Sequence, residues 1–225
     1  MSLPAPVLDL AATVIPDAEG RGDLAFAYAF GAPISGFGRD AEIGLACVWN
    51  DPTVPDRAPS DAEHLTQNRF DAMLRELATV DEMSDVAALP LTHIANFAYG
   101  VLLSDDAGAG TVARGMVWDF PPALETFAVQ VLKTDRAELP ARLAAADDPW
   151  ERADLLSGAV SRAYVAWFAM HERYFPGRPR RREYADHFGF DAAVPNLEAE
   201  IWTAADAASA RDRYVAFADR VLADD

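Results

Sequence analysis

Residues 28–49 read Tyr28-Ala-Phe-Gly-Ala-Pro-Ile-Ser-Gly-Phe-Gly-Arg-Asp-Ala-Glu-Ile-Gly-Leu-Ala-Cys-Val-Trp49. Large and small side chains alternate over residues 24–30, which predicts a strand with one well-packed face. Residues 42–49 predict a second strand, which opens with an acid, Glu42. Glycines lie between the two runs, and backbone N–H groups in such a turn can hold an anion. The segment therefore predicts a strand, an anion-binding turn and a second, acid-led strand.

This pattern resembles the active-site motif of the nucleotidyltransferase superfamily. In that family a Gly-Ser pair ends the first strand, and the next strand carries two carboxylates at alternate positions that hold magnesium on the nucleotide phosphates. The pair here is Gly31-Ala32, and the acidic strand reads Glu42-Ile43-Gly44. The resemblance implies the family's fold and a ligand-binding turn made by Gly31, Ala32, Gly38 and Arg39.

The substitutions fall on the residues that would perform the chemistry. Alternate residues of a strand face the same side, so Glu42 shares its face with Gly44, where the family has a second carboxylate. Two carboxylates suit Mg²⁺ but one alone binds it poorly. An alternative pairs Asp40 with Glu42 as catalytic acids and metal ligands. A third ligand would come from Asp81 or Glu82, in a short strand expected over residues 80–83.

The remaining pattern predicts an α+β fold: a small nucleotidyltransferase-like α/β domain, residues 1–88, followed by an antiparallel helical bundle, residues 89–225. In the first domain, Ser60 or Asp61 is expected to cap a helix that runs to about Ala78. In the second, short connections between helices favour antiparallel neighbours. Helices are expected over residues 91–103, 123–145, 150–174 and 205–222.

A second resemblance lies in the stretch Ala163-Tyr-Val-Ala-Trp-Phe-Ala-Met-His-Glu-Arg-Tyr-Phe-Pro-Gly-Arg-Pro-Arg-Arg-Arg-Glu-Tyr184. It is similar to the helical C-terminal half of uncharacterised nucleotidyltransferase-like proteins, in which an asparagine and a lysine stand where this chain has His171 and Arg180. The arginines form a basic cluster in an acidic chain, which favours phosphate or carboxylate ligands. The candidate ligand-binding residues are Arg173, Arg180 and Arg181. Alternatively, these arginines cap a helix and pair with neighbouring acids.

Composition limits the classes of partner. The net charge of −17 repels nucleic-acid phosphates and argues against general nucleic-acid binding. No apolar run approaches the length of a membrane span, and the first residues lack the pattern of a signal peptide, so we expect a cytoplasmic protein without membrane contact. Cys47 is expected in the core. His93 and His171 lie on apolar helical stretches and are read as core or rim histidines.

The leading functional hypothesis is a catalytically degenerate nucleotidyltransferase-fold protein. It would bind a nucleotide or a small anionic ligand in a cleft between the two domains, with no cofactor. One alternative is an active enzyme that needs Mg²⁺ and modifies a hydroxyl of a small molecule. Another is a protein-interaction module of the antitoxin type, and the chain could form a homodimer.

Overall fold

The computed structural model of the chain describes residues 4–36, 43–56, 58–81 and 84–224. The chain forms two compact units. The first consists of Met1–Leu77 and Pro90–Phe120, and the second consists of Ala78–Leu89 and Pro121–Asp225. In the described parts of the chain, no helix is both long enough and apolar enough to cross a bilayer.

The first unit contains one mixed sheet and the helices around it. In chain order its elements are α1 (Ala5–Glu19), β1 (Leu24–Phe30), α2 (Ala32–Ser35), β2 (Gly44–Trp49), β3 (Glu63–Thr66), α3 (Gln67–Ala78), α4 (Leu91–Ala98), β4 (Val101–Ser104) and α5 (Ala109–Trp118).

The sheet has the strand order β3-β2-β1-β4. β1 pairs antiparallel with both of its neighbours, whereas β2 and β3 run parallel. The register places Tyr28 opposite Ala46 of β2, and Ala46 in turn opposite Glu63 of β3. These three residues therefore form one row across the sheet, with their side chains on the same face.

The two faces of β1 differ in the size of their side chains because large and small residues alternate along it. The small residues Ala27 and Ala29 belong to a core cluster with Val7 and Val14 of α1. The large residues Phe26, Tyr28 and Phe30 lie on the other face. There, Phe26 and Tyr28 contact aromatic rings of α3 and α4 at centroid distances of 5.0–5.6 Å. This face carries the candidate site described below.

The second unit is helical over its described residues. Its three longest described helices, residues 122–145, 149–170 and 207–222, pack against one another, and the last of them also packs on the helix over residues 193–202. Tyr164, Trp167 and Phe168 are buried there, as expected for helical core residues. The helices are α6 (Pro122–Ala145), α7 (Pro149–Met170), α8 (Arg181–His187), α9 (Ala193–Trp202) and α10 (Ala207–Leu222).

Two predicted features need correction. Residues 63–66 form a strand that pairs with β2, so the helix expected from Ser60 or Asp61 begins at Gln67. The helix expected over residues 91–103 ends at Ala98, because residues 101–104 pair with β1 as β4. That pairing also brings residues 90–120 into the first unit, so the units' bounds differ from a division at residue 88.

Other expectations agree with the structure. A mixed α/β protein with a helical C-terminal half is observed, and residues 24–30 form β1 as predicted. The helices predicted over residues 123–145 and 205–222 correspond to α6 and α10, and the helix predicted over 150–174 ends at Met170. Cys47 is buried in β2, and burial raises the pKa of its thiol to about 11, as befits a core residue.

Candidate functional site

The predicted ligand-binding turn follows β1 directly. Gly31 has a φ of 114°, in the region that favours glycine, and α2 then makes a single turn that ends at Gly36. The carbonyl oxygen of Gly31 accepts hydrogen bonds from the backbone N–H groups of Ile34 and Ser35. Ala32 is buried and its side chain has no hydroxyl. The turn is therefore tight, and its shape depends on a glycine at 31.

Several predicted site residues lie outside the described residues: Gly38, Arg39, Asp40, Glu42 and Glu82. Their roles as ligand-binding, catalytic or metal-binding residues stay predictions. Asp81 is described and belongs to the second unit. Its backbone N–H donates to Ser84 Oγ, and the Ser84 hydroxyl donates to Asp81 Oδ1 at 3.3 Å.

Gly44, where the resemblance would place a second carboxylate, lies against an aromatic ring of the neighbouring strand. Gly44 pairs with Phe30 across β1 and β2. A Cβ atom added at residue 44 would lie 2.2 Å from Phe30 Cζ and within 2.8 Å of both Cε atoms. Real Cβ contacts essentially never come under 3.0 Å. The Phe30 ring therefore occupies the space that an acid at position 44 would need.

A buried tyrosine hydroxyl, that of Tyr28, lies on the same face of the sheet as Phe30. The Tyr28 hydroxyl is fully buried, and among the described residues it has no hydrogen-bond partner. Ala46 separates Tyr28 from Glu63 in the row across the sheet, and its small side chain covers little of the space between them. Burial, followed by the negative charge of Glu63, raises the pKa of the Tyr28 phenol, so the hydroxyl stays protonated and able to donate.

Glu63, in the same row of the sheet as Tyr28, is partly exposed at the protein surface. Its Oε2 lies 3.6 Å from His93 Nδ1 of α4, and both side chains are about half exposed. The Glu63 carboxylate, as acceptor for the imidazole N–H, has the largest effect on His93 and raises the pKa of its imidazole. His93 therefore has a carboxylate partner that sequence reasoning missed, because residue 63 was assigned to a helix rather than to the sheet beside β2.

We expect the Glu63–His93 pair to make the first unit's stability depend on pH. The folded-state pKa of His93 is raised, so the pair stabilises the fold fully below the unfolded-state pKa of about 6.5, and this contribution is lost as the pH rises through the folded value. His93→Gln should therefore lower the melting temperature more at pH 5.5 than at pH 8.5. Thermal melts of both proteins at the two pH values measure this, and an equal difference at both would contradict it.

The basic cluster of the second unit is largely bound to its own neighbours. Arg178 donates to Oγ and to the backbone oxygen of Ser157. Arg173 donates to the Glu172 carbonyl oxygen, and its guanidinium lies 5.2 Å from the centre of the Phe188 ring. The backbone N–H of Arg180 donates to Gly177 at the turn before α8.

Arg181 and Arg182 converge on Glu198 of α9, whose side chain is only 1% exposed. Arg181 Nη2 donates to Oε1 at 2.5 Å, and Arg182 Nη2 donates to Oε2 at 3.0 Å. The Tyr164 hydroxyl and the Trp202 indole N–H also donate to this carboxylate. Burial opposes its ionisation, but the hydrogen bonds from Arg181, Trp202 and Tyr164 outweigh that effect and lower the pKa of Glu198.

A metal centre is not found within the described part of the chain, where no three His, Cys, Asp or Glu side chains come together in a way that could hold an ion. His171, the second histidine considered, pairs through Nε2 with Asp224 Oδ2 at 3.2 Å and stacks on Phe190.

Comparison with known proteins adds no relationship: no family model matches the sequence, and no curated protein is significantly similar to it.

Proposed function

We propose that the first unit is a nucleotidyltransferase-like domain that binds a nucleotide or another small anionic ligand at the Gly31 turn and has lost metal-dependent catalysis. The observation that carries this proposal is the Phe30 ring over Gly44. A side chain that fills the place of the second acid removes the paired carboxylates that Mg²⁺ needs, while the turn at the end of β1 keeps its glycine and its tight geometry.

The proposed binding site does not include Arg181. That guanidinium is directed at a buried carboxylate, and moving it to a ligand would leave Glu198 with a weaker set of donors in a dry environment. Arg173 and Arg180 belong to the second unit, and their role in ligand binding stays a prediction from the sequence. The turn at Gly31, with Gly38 and Arg39 as predicted donors, is the main part of the proposed site.

Calorimetric titration of ATP, GTP and CTP, with Mg²⁺ and with a chelator, tests the proposal. We expect one of these nucleotides to bind, with an affinity that changes less than about tenfold between the two conditions, since no pair of carboxylates recruits the metal. Ala32→Ser restores the family's hydroxyl, and one added hydrogen bond of roughly 0.5–1.5 kcal/mol should tighten binding about twofold to tenfold.

Gly31→Val tests the opposite change, a disrupted turn, because a β-branched residue is strained at a φ of 114°. We expect this variant to lose detectable binding. Gly115→Ala is the matched control, because this glycine is exposed on α5 and open space surrounds the position of an added Cβ. The nucleotide affinity of this variant should equal that of the wild type. Absence of binding by the wild type would refute the proposal, and binding that requires Mg²⁺ would favour the active enzyme.

A further inference from the structure

An apolar stripe is exposed on α5 in the first unit. Val112 and Met116 lie four residues apart on the same side of the helix and are 67% and 55% exposed. Trp118 at the end of α5 is 76% exposed. Single exposed apolar residues are ordinary on protein surfaces, whereas neighbouring ones mark interaction surfaces. The stripe is therefore a candidate interface.

α3 runs beside this stripe and completes a groove with a volume of about 540 Å³. Its contribution is polar: Gln67, Asp71 and Arg75 recur every four residues along one side of α3. We call this surface the α3–α5 face and define it by these three residues together with Val112 and Met116. It combines an apolar stripe with a pair of opposite charges.

The α3–α5 face is held rigidly from beneath. Asp105 accepts hydrogen bonds from the backbone N–H groups of Gly110 and Thr111 at the start of α5. Arg114 donates through Nη2 to the carbonyl oxygen of Gly100 at 3.0 Å, and it lies 5.5 Å from the centre of the Phe97 ring. A surface that is already ordered loses little conformational entropy when it binds a partner.

The charge of this face singles out a particular partner. The whole chain carries −17, which opposes association with another copy over most of its surface. The α3–α5 face itself carries one acid, Asp71, and one base, Arg75, so its own net charge is zero. A second copy can approach here without the repulsion that it meets elsewhere.

We propose that the α3–α5 face binds a second copy of the chain in a two-fold symmetric dimer. Such an interface uses the same patch on both subunits and must therefore be complementary to itself. An apolar stripe meets this condition, and so does an acid beside a base: the two-fold axis brings Asp71 of each copy to Arg75 of the other. Val112 and Met116 of the two copies then pack together in the centre.

Analytical ultracentrifugation over concentrations of roughly 1–100 μM tests this proposal. The wild type should change from a monomer of 24.4 kDa to twice that mass as its concentration rises. Val112→Asp and Met116→Asp should each weaken dimerisation at least tenfold, because they bury a charge in the interface. Both positions are exposed, so the melting temperature should change little. Trp150→Asp is the control, since Trp150 is exposed in the second unit and should leave the dimer intact.

Charge exchange makes the test specific for two-fold pairing. Asp71→Arg and Arg75→Asp should each weaken the dimer by placing like charges opposite one another, whereas the double variant Asp71→Arg/Arg75→Asp should restore it. Failure of the double variant to recover overturns the two-fold arrangement. The proposal is overturned if the wild type stays monomeric throughout, or if the dimer survives Val112→Asp and Met116→Asp. It is also overturned if the α3–α5 face binds only a different protein.

Discussion

Glu198→Ala should lower the free energy of unfolding of the second unit by about 3–5 kcal/mol, because it removes a carboxylate that is 1% exposed and leaves the mostly buried Arg181 without its partner. Four donors lose their acceptor at once: the guanidinium groups of Arg181 and Arg182, the Tyr164 hydroxyl and the Trp202 indole. Urea unfolding followed by tryptophan fluorescence and far-UV circular dichroism measures the loss.

The control is an ion pair of similar geometry at the surface. Arg136 donates to both carboxylate oxygens of Asp219, but both side chains are well exposed. Arg136→Ala should therefore leave the urea midpoint almost unchanged. Arg181→Ala belongs to the same series and is expected to destabilise the second unit without affecting nucleotide binding. A loss for Glu198→Ala no larger than that of the exposed pair would contradict the structural role of the network.

Gly44→Asp should destabilise the first unit by about 3 kcal/mol, at the upper end of the usual cost of overpacking, because its Cβ would overlap the Phe30 ring. It should also fail to create Mg²⁺-dependent nucleotide affinity, although it supplies the acid that the resemblance lacks. Urea unfolding and calorimetric titration with and without Mg²⁺ measure the two effects.

Phe30→Leu provides the matched background, since leucine lacks Cζ and both Cε atoms, the three atoms that would meet a Cβ at residue 44. In Phe30→Leu/Gly44→Asp the added side chain has room, so the double variant should be more stable than the sum of the single changes predicts, by about 1–3 kcal/mol. If the resemblance to nucleotidyltransferases is right, it should also gain Mg²⁺-dependent affinity. If the free-energy changes of the two single variants simply add, the Phe30 ring does not contact a side chain at position 44.

The features that could be predicted are those encoded by local periodicity. β1 alternates large and small residues over its whole length, and α6 and α10 carry long helical patterns, although Pro140 lies within α6, so their own residues determine them. β3 and β4 are four residues long and become strands by pairing with β2 and β1. A four-residue segment carries too little pattern to distinguish a strand from the end of a helix. The sequence interpretation does not include α1.

The candidate site shows the same limit. The glycine-rich turn could be located from residues 28–49, but the reason for a glycine at position 44 could not, because the ring that excludes a side chain belongs to another strand. Glu63 and His93 are 30 residues apart, and neither residue alone indicates the other. Arg181 was read as a ligand-binding candidate because its acid, Glu198, lies on a different helix.

The pairing of β4 with β1 has a consequence for folding of the chain while it is being synthesised. β1 can pair with β2 soon after synthesis, but its other edge gains a partner only when residues 101–104 have emerged. Until then the nascent sheet exposes a row of unpaired backbone groups on a strand rich in phenylalanine, the kind of edge that recruits other strands. A ribosome-bound chain halted before residue 101 would carry that open edge, so aggregation during synthesis is a hazard concentrated in this interval.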